Sequence, residues 1–182
     1  IVVHVPTCQA LYSRQVPVPA GPFVEGGGDP TPTQVLPVEP ERVVDEPAYR
    51  IDRTELPQAL MAVFAQMASQ TDLPMPEVAP LQGERHFLAP DRPVHSVDWY
   101  GARQVCRWLG ADLPTSTQVT KAGRGSLVLD AGKGTLNPQP RRNFPSGATW
   151  PDIHAIGWLG KHDPLELAAV GDSRGDTSPY GV

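Results

Sequence analysis

Apolar residues recur at three- and four-residue steps between positions 96 and 109, and this spacing predicts an amphipathic helix. The apolar face of this helix comprises Trp99, Ala102, Val105, Cys106 and Leu109. Ser96 is a favourable N-cap, and Asp98 lies in the first turn, where a negative charge stabilises the helix dipole. Gly110 and the Leu113-Pro114 pair end the pattern, so we expect a tight corner after the helix.

Two further helices are predicted on either side of this segment. The first has Thr54 as its N-cap and runs to about Ser69, with Pro57 tolerated because it lies in the first turn. Its buried stripe comprises Leu60, Val63, Phe64 and Met67. Thr115 is expected to cap the second, a short helix over residues 116–122.

The remaining apolar segments are short and predict strands. Val16–Val24 and Glu41–Ile51 are the main candidates, and they favour two strands on either side of an exposed loop. The alternative for Gly26–Pro40 is a disordered proline-rich linker. Residues 126–129, Ser-Leu-Val-Leu, predict one more short strand, and Leu73–Phe87 is predicted to be a loop.

Composition narrows the fold class and the kinds of partner. The 22 prolines and 17 glycines break long helices and strands, so they favour a loop-rich α+β domain, alone or with an extra arm. A net charge of −5 without a dense Lys/Arg block argues against a nucleic-acid partner or an anionic membrane surface. We also expect no membrane span, since no run of about 20 apolar residues occurs.

The two cysteines are the first candidates for chemistry. Cys8 and Cys106 lie too far apart in sequence to form a metal-binding motif. We expect Cys106 to be structural, either as a buried thiol or in a disulfide with Cys8 or with a second chain. The five histidines show no ligand spacing, and no catalytic nucleophile set is recognisable. Arg174-Gly-Asp176 is typical of an exposed turn, and Gly132-Lys133 lacks the flanking residues of a phosphate-binding loop.

Five motifs occur in a characteristic order along most of residues 16–182. The most specific runs from Ser96 through Cys106-Arg-Trp-Leu-Gly110 to Leu113-Pro-Thr115. The other four are Val18-Pro-Ala-Gly-Pro-Phe23, Tyr49-Arg-Ile-Asp-Arg-Thr-Glu55, Arg142-Asn-Phe144 and the approach from Ala168-Ala-Val-Gly171 to Tyr180-Gly-Val182. Together these motifs resemble the formylglycine-generating enzyme, or sulfatase-modifying factor, family.

The resemblance implies the irregular, loop-rich α+β fold of that family, which is C-type-lectin-like. Catalytic members bind copper through two cysteines near the C-terminal end of the domain, and soft thiolates suit Cu(I). Cys106 is similar instead to a helix cysteine that some members use in a structural disulfide. Members often bind Ca²⁺ through an Asn side chain, a following backbone carbonyl and a downstream Asp, so the resemblance implies a calcium site at Asn143 and Asp163 and no other cofactor in this chain. The alternative is that Asn143 is a turn residue and Asp163 a helix cap.

One departure from the family bears on function. The family's Glu-Ala-Glu-Trp-Glu is replaced by Ser116-Thr-Gln-Val-Thr120, before Lys121-Ala-Gly-Arg-Gly125 resumes the pattern. A polar network that loses its charges has been relaxed or repurposed, so we expect a non-catalytic binding or assembly module, part of a larger protein or complex, that contacts a protein partner. The alternative is a copper-dependent oxidase that converts a substrate cysteine to formylglycine, with its catalytic cysteines on a further C-terminal segment.

The resemblance also suggests a domain organisation. Residues 1–15 are predicted to be an N-terminal arm, and residues 16–182 the N-terminal portion of the family's domain. The family's next strand would begin at Val182, so we expect a second polypeptide, either a C-terminal fragment or a separate subunit, to complete the domain. Ile1 is not an initiator Met, so we expect a chain that is either processed or cut from a longer one. No signal peptide is visible in the sequence, and a secreted or periplasmic location is the expectation.

Overall fold

The computed structural model describes residues 7–27, 39–70, 89–130, 132–145, 147, 168–172 and 177–182. Within these residues lie α1 (Cys8–Arg14), β1 (Gln15–Val18), β2 (Gly21–Glu25), β3 (Arg42–Glu46), β4 (Tyr49–Asp52), α2 (Gln58–Ala68), α3 (Trp99–Trp108), α4 (Ser116–Arg124), β5 (Val128–Asp130) and β6 (Thr135–Leu136). The elements are short and the strands pair only two by two, so the loop-rich α+β class is confirmed. The predicted loop Leu73–Phe87, the Arg174-Gly-Asp176 tripeptide and most of Gly26–Pro40 lie outside the described residues.

The chain divides into two compact units. The first comprises Ile1–Arg14, Thr54–Leu113 and Gly157–Asp172, and the second Gln15–Arg53, Pro114–Ile156 and Ser173–Val182. Each has its own buried apolar residues. Those of the first unit are Met61, Phe64, Met67, Ala68 and Val105, and those of the second are Val16, Val18, Phe23, Val24 and Ala122. α1, which lies within the predicted arm, belongs to the first unit.

The start of α2 differs from the prediction. Its N-cap is Pro57, in an extended conformation, whereas Thr54 donates its hydroxyl to the Glu55 carbonyl at 3.2 Å. The backbone pairs with residues 92–94 before the helix begins, since Val94 donates to the Leu56 carbonyl and Gln58 donates to the Arg92 carbonyl, both at 2.8 Å. This bridge holds the chain extended up to Pro57 and prevents an earlier helix start.

The buried face of α2 is shifted by one residue from the predicted stripe. Phe64 and Met67 are buried as predicted, but Met61 is buried where Leu60 was expected. Phe64 lies edge-on against Trp108 of α3, with ring centroids 5.3 Å apart. The partly buried residues around this cluster are Leu56, Val94, Val97, Trp108 and Leu109.

Asp98, rather than Ser96, is the N-cap of α3. Its carboxylate accepts a hydrogen bond from the backbone N–H of Gly101. Ser96 has a φ of 56°, in the left-handed region, whereas an N-cap residue needs an extended backbone, so the prediction for Ser96 is wrong. Gly110 follows the helix with a φ of 76°, which is the C-terminal corner predicted from the sequence.

Proline residues divide both predicted strands of the second unit. β1 pairs antiparallel with β4 and β2 with β3, so the predicted pair of strands flanking a loop is confirmed for β2 and β3. The breaks fall at Pro19-Ala20 and at Pro47-Ala48. Val16–Val24 and Glu41–Ile51 therefore each give two short strands instead of one, and each break contains a proline, although Pro17 and Pro22 are accommodated within β1 and β2.

α4 begins after Thr115, as predicted. The Thr115 hydroxyl accepts from the Gln118 N–H at 3.1 Å, and the Gln118 side chain accepts from the Thr115 N–H at 3.0 Å, which forms a capping box. The helix extends to Arg124, two residues past the predicted end. The predicted strand at residues 126–129 overlaps β5, which pairs with β6. Among the described residues, no helix is long and apolar enough to cross a membrane.

Candidate functional site

Lys121 on α4 is completely buried, and backbone carbonyls hold its ammonium group. Nζ donates to the carbonyls of Pro19 at 2.7 Å, Gly21 at 3.0 Å and Glu46 at 2.9 Å. These three bonds use every N–H of the ammonium. Burial lowers the pKa of Lys121, and the nearby carboxylates of Glu46 and Asp45 oppose that change. Lys121 therefore ties α4 to the ends of β2 and β3 and to the turn between β1 and β2.

Glu25 at the end of β2 connects α4 to the β2–β3 pair. One carboxylate oxygen accepts two hydrogen bonds from Arg42, at 2.9 and 2.6 Å, and the other accepts from the Thr117 hydroxyl at 2.9 Å. The bond from Arg42 and then that from Thr117 are the largest causes that lower the pKa of Glu25. The carboxylate therefore stays ionised and joins two strands to α4.

Two further arginines of the second unit bind neutral oxygens. The Arg124 guanidinium donates to the carbonyls of Val24 and Gly26. Arg142 is buried and donates three bonds, each of 3.1 Å, to the carbonyls of Gln139 and Pro145 and to Oδ1 of Asn137. Burial lowers the pKa of both guanidinium groups. We call Glu25, Arg42, Thr117, Lys121 and Arg124 the α4 network.

The residues at positions 116–120, where the resemblance places three acids and a Trp, are neutral and locally satisfied. Thr117 binds Glu25, and Gln118 closes the capping box. The Thr120 hydroxyl donates to the Ser116 carbonyl at 2.9 Å. Val119, at the position of the Trp, is 53% exposed. The side chains of this turn therefore serve the helix and its contact with β2.

In the first unit, four side chains extend along α3: Trp99, Tyr100, Arg103 and Arg107. We call this set the α3 stripe. Trp99 is 56% exposed and Tyr100 is 78% exposed, and their rings meet edge-on with centroids 5.2 Å apart. The Arg103 guanidinium lies 5.3 Å from the centroid of the Trp99 ring. The prediction that Trp99 belongs to the buried face of the helix is therefore wrong, whereas Val105 on that face is buried.

Asp112 orders the basic end of the α3 stripe. Arg103 donates to its two carboxylate oxygens at 2.8 and 3.0 Å, and the Nε of Arg107 lies 3.6 Å from the same carboxylate. The hydrogen bond from Arg103 is the main cause that lowers the pKa of Asp112 to about 2, so this carboxylate is ionised at neutral pH. One carboxylate thus serves two guanidinium groups.

The structure places the predicted cysteines on two helices of the first unit. Cys106 lies half-buried on α3. Cys8 is the first residue of α1, and its side chain lies outside the described part of the structure. The structural role of both residues stays a prediction.

The predicted calcium site is described only in part. Asn143 lies half-buried in the turn that follows Arg142, and Asp163 lies outside the described residues. Within residues the structure describes, no three His, Cys, Asp or Glu side chains converge in a way that could hold a metal ion. Ca²⁺ needs several oxygen ligands. The calcium site at Asn143 and Asp163 therefore stays a prediction.

Two functional features are missing from the sequence-based prediction. Lys121 is one of fifteen Lys and Arg residues, and its three carbonyl partners come from two segments that are distant in sequence, one at Pro19 and Gly21 and the other at Glu46. The one signal for it is that the family pattern resumes at Lys121-Ala-Gly-Arg-Gly125 after five changed residues. For the exposed Trp99, the signal in the sequence is the pair Tyr100 and Arg103. These two residues lie on the same side of a helix and extend its polar face toward Trp99.

Comparison with known proteins agrees with the motifs. No curated protein matches the chain. The model of the family described as "Sulfatase-modifying factor enzyme 1-like domain" matches residues 3–182. The match includes the helix and corner of α3, the capped start of α4 and the paired strands of the second unit. The chain therefore belongs to the sulfatase-modifying factor enzyme 1-like domain family, with the loop-rich, C-type-lectin-like α+β fold of that family.

Proposed function

We propose that this chain is a non-catalytic binding or assembly module of its family and that it acts by contacting a protein partner. The observation that carries the proposal is the exposure of Trp99 and Tyr100 beside two arginines on one helix. Trp, Tyr and Arg are the residue types most enriched where protein interfaces derive their binding energy. Contiguous exposed aromatic side chains are typical of interaction sites.

The α4 network supports the same proposal. Lys121 uses its three N–H groups on backbone carbonyls, and Glu25 accepts from Arg42 and Thr117. A general acid or base must reach the proton that it transfers, either directly or through one water. These groups are instead engaged in holding α4 against the strands, which is the work of a scaffold.

Selection of peptides tests the proposed binding function. Short random peptides displayed on phage are selected on the full chain, and individual peptides are then measured by fluorescence polarisation. We expect selected peptides to bind about tenfold more weakly to the Trp99→Ala/Tyr100→Ala variant, because both exposed rings are removed. Val119→Ala is the matched control, since it removes an exposed apolar side chain from another helix. Equal loss in both variants would contradict the proposal.

The alternative function, copper-dependent oxidation of a substrate cysteine to formylglycine, is favoured by the family match itself. It is tested on the complete protein, together with any further segment or subunit that completes the domain, because the alternative places the catalytic cysteines outside this chain. Competition for Cu(I) against a chromophoric chelator measures copper binding, and mass spectrometry follows a cysteine-containing peptide incubated with that protein, copper and oxygen. Cys8→Ser and Cys106→Ser are the controls, since they leave such cysteines in place. We expect an unchanged peptide mass and no cysteine-dependent Cu(I) complex. Tight Cu(I) binding through a cysteine pair together with peptide conversion would replace the proposal with the alternative.

A further inference from the structure

We infer that the α3 stripe binds a polyproline-II segment of a partner protein that carries an apolar residue and, three residues further on, an acidic one. The apolar side chain contacts Trp99 and Tyr100, and the carboxylate pairs with Arg107. This inference rests on the proposed binding function and specifies the chemistry of the partner.

The charges along the α3 stripe indicate that the partner carries an acidic residue and that this residue pairs with Arg107. Arg103 is bound by both oxygens of Asp112, whereas the Arg107 side chain is 61% exposed and reaches that carboxylate only at 3.6 Å. Among the described residues, the Arg107 guanidinium donates no hydrogen bond. Two guanidinium groups face one carboxylate, which leaves one positive charge. A guanidinium presents five N–H donors in a planar fork that matches a carboxylate, so Arg107 is suited to bind one from a partner.

The two ends of the stripe differ in sign, which sets the direction of the partner. Asp98 is negative at the aromatic end, where its carboxylate accepts from the Gly101 N–H. Arg107 is positive at the other end, one residue before the helix ends. An acidic group in the partner is therefore attracted toward Arg107 and repelled from Asp98.

Spacing along the helix fits a partner in the polyproline-II conformation. Tyr100 and Arg107 are seven residues apart, close to two turns, so they share one side of α3 and lie about 10 Å apart along its axis. A polyproline-II chain has three residues per turn and rises about 3.1 Å per residue, so side chains three residues apart share an edge about 9 Å apart. Aromatic side chains are the usual docking surface for such chains. A β-strand places residues three apart on opposite faces and fits this spacing less well.

The test uses two fluorescein-labelled synthetic peptides, Gly-Ser-Leu-Pro-Pro-Glu-Ser-Gly and its counterpart with Lys in place of Glu, and fluorescence polarisation with the full chain. We expect the Glu peptide to bind at least about tenfold more tightly than the Lys peptide. Arg107→Glu is expected to reverse this order, and Arg107→Gln to remove the difference between the peptides. Lys133→Glu changes net charge by the same amount on the turn before β6 and is expected to keep the wild-type order.

Circular dichroism of each variant checks that the total helix content is kept, and Arg107→Gln, which introduces no negative charge, keeps the test valid if Arg107→Glu is unstable. Equal binding of the Glu and Lys peptides, a preference that survives in Arg107→Glu, or no binding of either peptide would overturn the inference. In each of these cases aromatic-dependent peptides from the random library would still support the proposed binding function. Conversion of a cysteine peptide to formylglycine would instead count against that function, whatever the charge preference.

Discussion

At the scale of single residues, backbone oxygens stabilise the buried cations of the second unit. The ammonium of Lys121 binds three carbonyls, and the guanidinium of Arg142 binds two carbonyls and one amide oxygen. A buried charge is tolerated when its hydrogen bonds are complete, and removing it leaves several buried acceptors without a donor. Loss of such a side chain should therefore destabilise the chain more than loss of an exposed ion pair.

Lys121→Met tests this at one position, since it keeps an unbranched side chain and removes the three donors. We expect the free energy of unfolding to fall by about 2–4 kcal/mol, because the carbonyls of Pro19, Gly21 and Glu46 lose a charged donor. Urea unfolding followed by circular dichroism measures the change. The control, Lys133→Met, removes a lysine whose side chain is 82% exposed and should change stability by less than about 0.5 kcal/mol. Identical urea midpoints for the two variants would show that the carbonyl bonds contribute nothing.

The Glu25 carboxylate predicts that stability falls in acid. Its pKa is lowered below 4.5, chiefly by Arg42 and then by Thr117, with a further contribution from Arg124. A lowered carboxylate pKa stabilises the folded state above the unfolded-state pKa, and this stabilisation is lost as pH falls through the folded-state pKa. We expect Glu25→Gln to unfold at a lower urea concentration than wild type near neutral pH, with the difference shrinking below about pH 4.5.

Urea titrations at several pH values measure this difference, and Glu55→Gln, which changes an exposed acid before α2, is the control. A constant gap between wild type and Glu25→Gln from neutral to acidic pH would mean that ionisation of Glu25 contributes no stability.

At the scale of elements, the sequence predicts the features that depend on local signals, and it does not predict those that depend on pairing between distant segments. The corner at Gly110 and the cap at Thr115 depend on residues within one turn, so the sequence predicts them. The start of α2 depends on two backbone hydrogen bonds with a segment more than thirty residues later: the Leu56 carbonyl accepts from Val94, and the Gln58 N–H donates to Arg92. No local pattern predicts that pairing. The carbonyl partners of Lys121 are hidden for the same reason.

One experiment at the N-cap of α3 distinguishes between the residue predicted from the sequence, Ser96, and the residue seen in the structure, Asp98. Asp98→Ala removes the acceptor for the Gly101 N–H and is expected to cost about 1 kcal/mol in the free energy of unfolding. Ser96→Ala should change it by only a few tenths of a kcal/mol, since Ser96 has a φ of 56° and lies outside the cap. Thermal or urea unfolding measures both. A larger loss for Ser96→Ala than for Asp98→Ala would restore Ser96 as the cap.

At the scale of the whole molecule, the chain keeps the family's fold through core packing and helix capping. The positions of α4 that are acidic in the family pattern carry neutral residues here. The residues of the α4 network form hydrogen bonds within the second unit, and the core residues of each unit are buried within that unit. The α3 stripe is the contrasting feature, because its aromatic rings and Arg107 project beyond the first unit's core. Family membership therefore establishes how the chain folds, and the proposed function follows from exposed side chains on α3, within the family motif that begins at Ser96.

The last prediction concerns the two units. Among the residues that the structure describes, each unit has one completely buried phenylalanine, Phe64 in the first and Phe23 in the second. Truncation of a buried Phe to Ala costs about 3–5 kcal/mol, which is a large fraction of the about 5–15 kcal/mol that stabilises a typical domain. We expect Phe64→Ala to accelerate amide hydrogen exchange throughout α2 and α3, and Phe23→Ala to do so in β2 and β3, both measured by mass spectrometry of proteolytic fragments. Val43→Ala, at a 63% exposed position of β3, should leave these rates within error of wild type. Unchanged exchange of α2 in Phe64→Ala would show that the contact of Phe64 with Trp108 does not hold the first unit together.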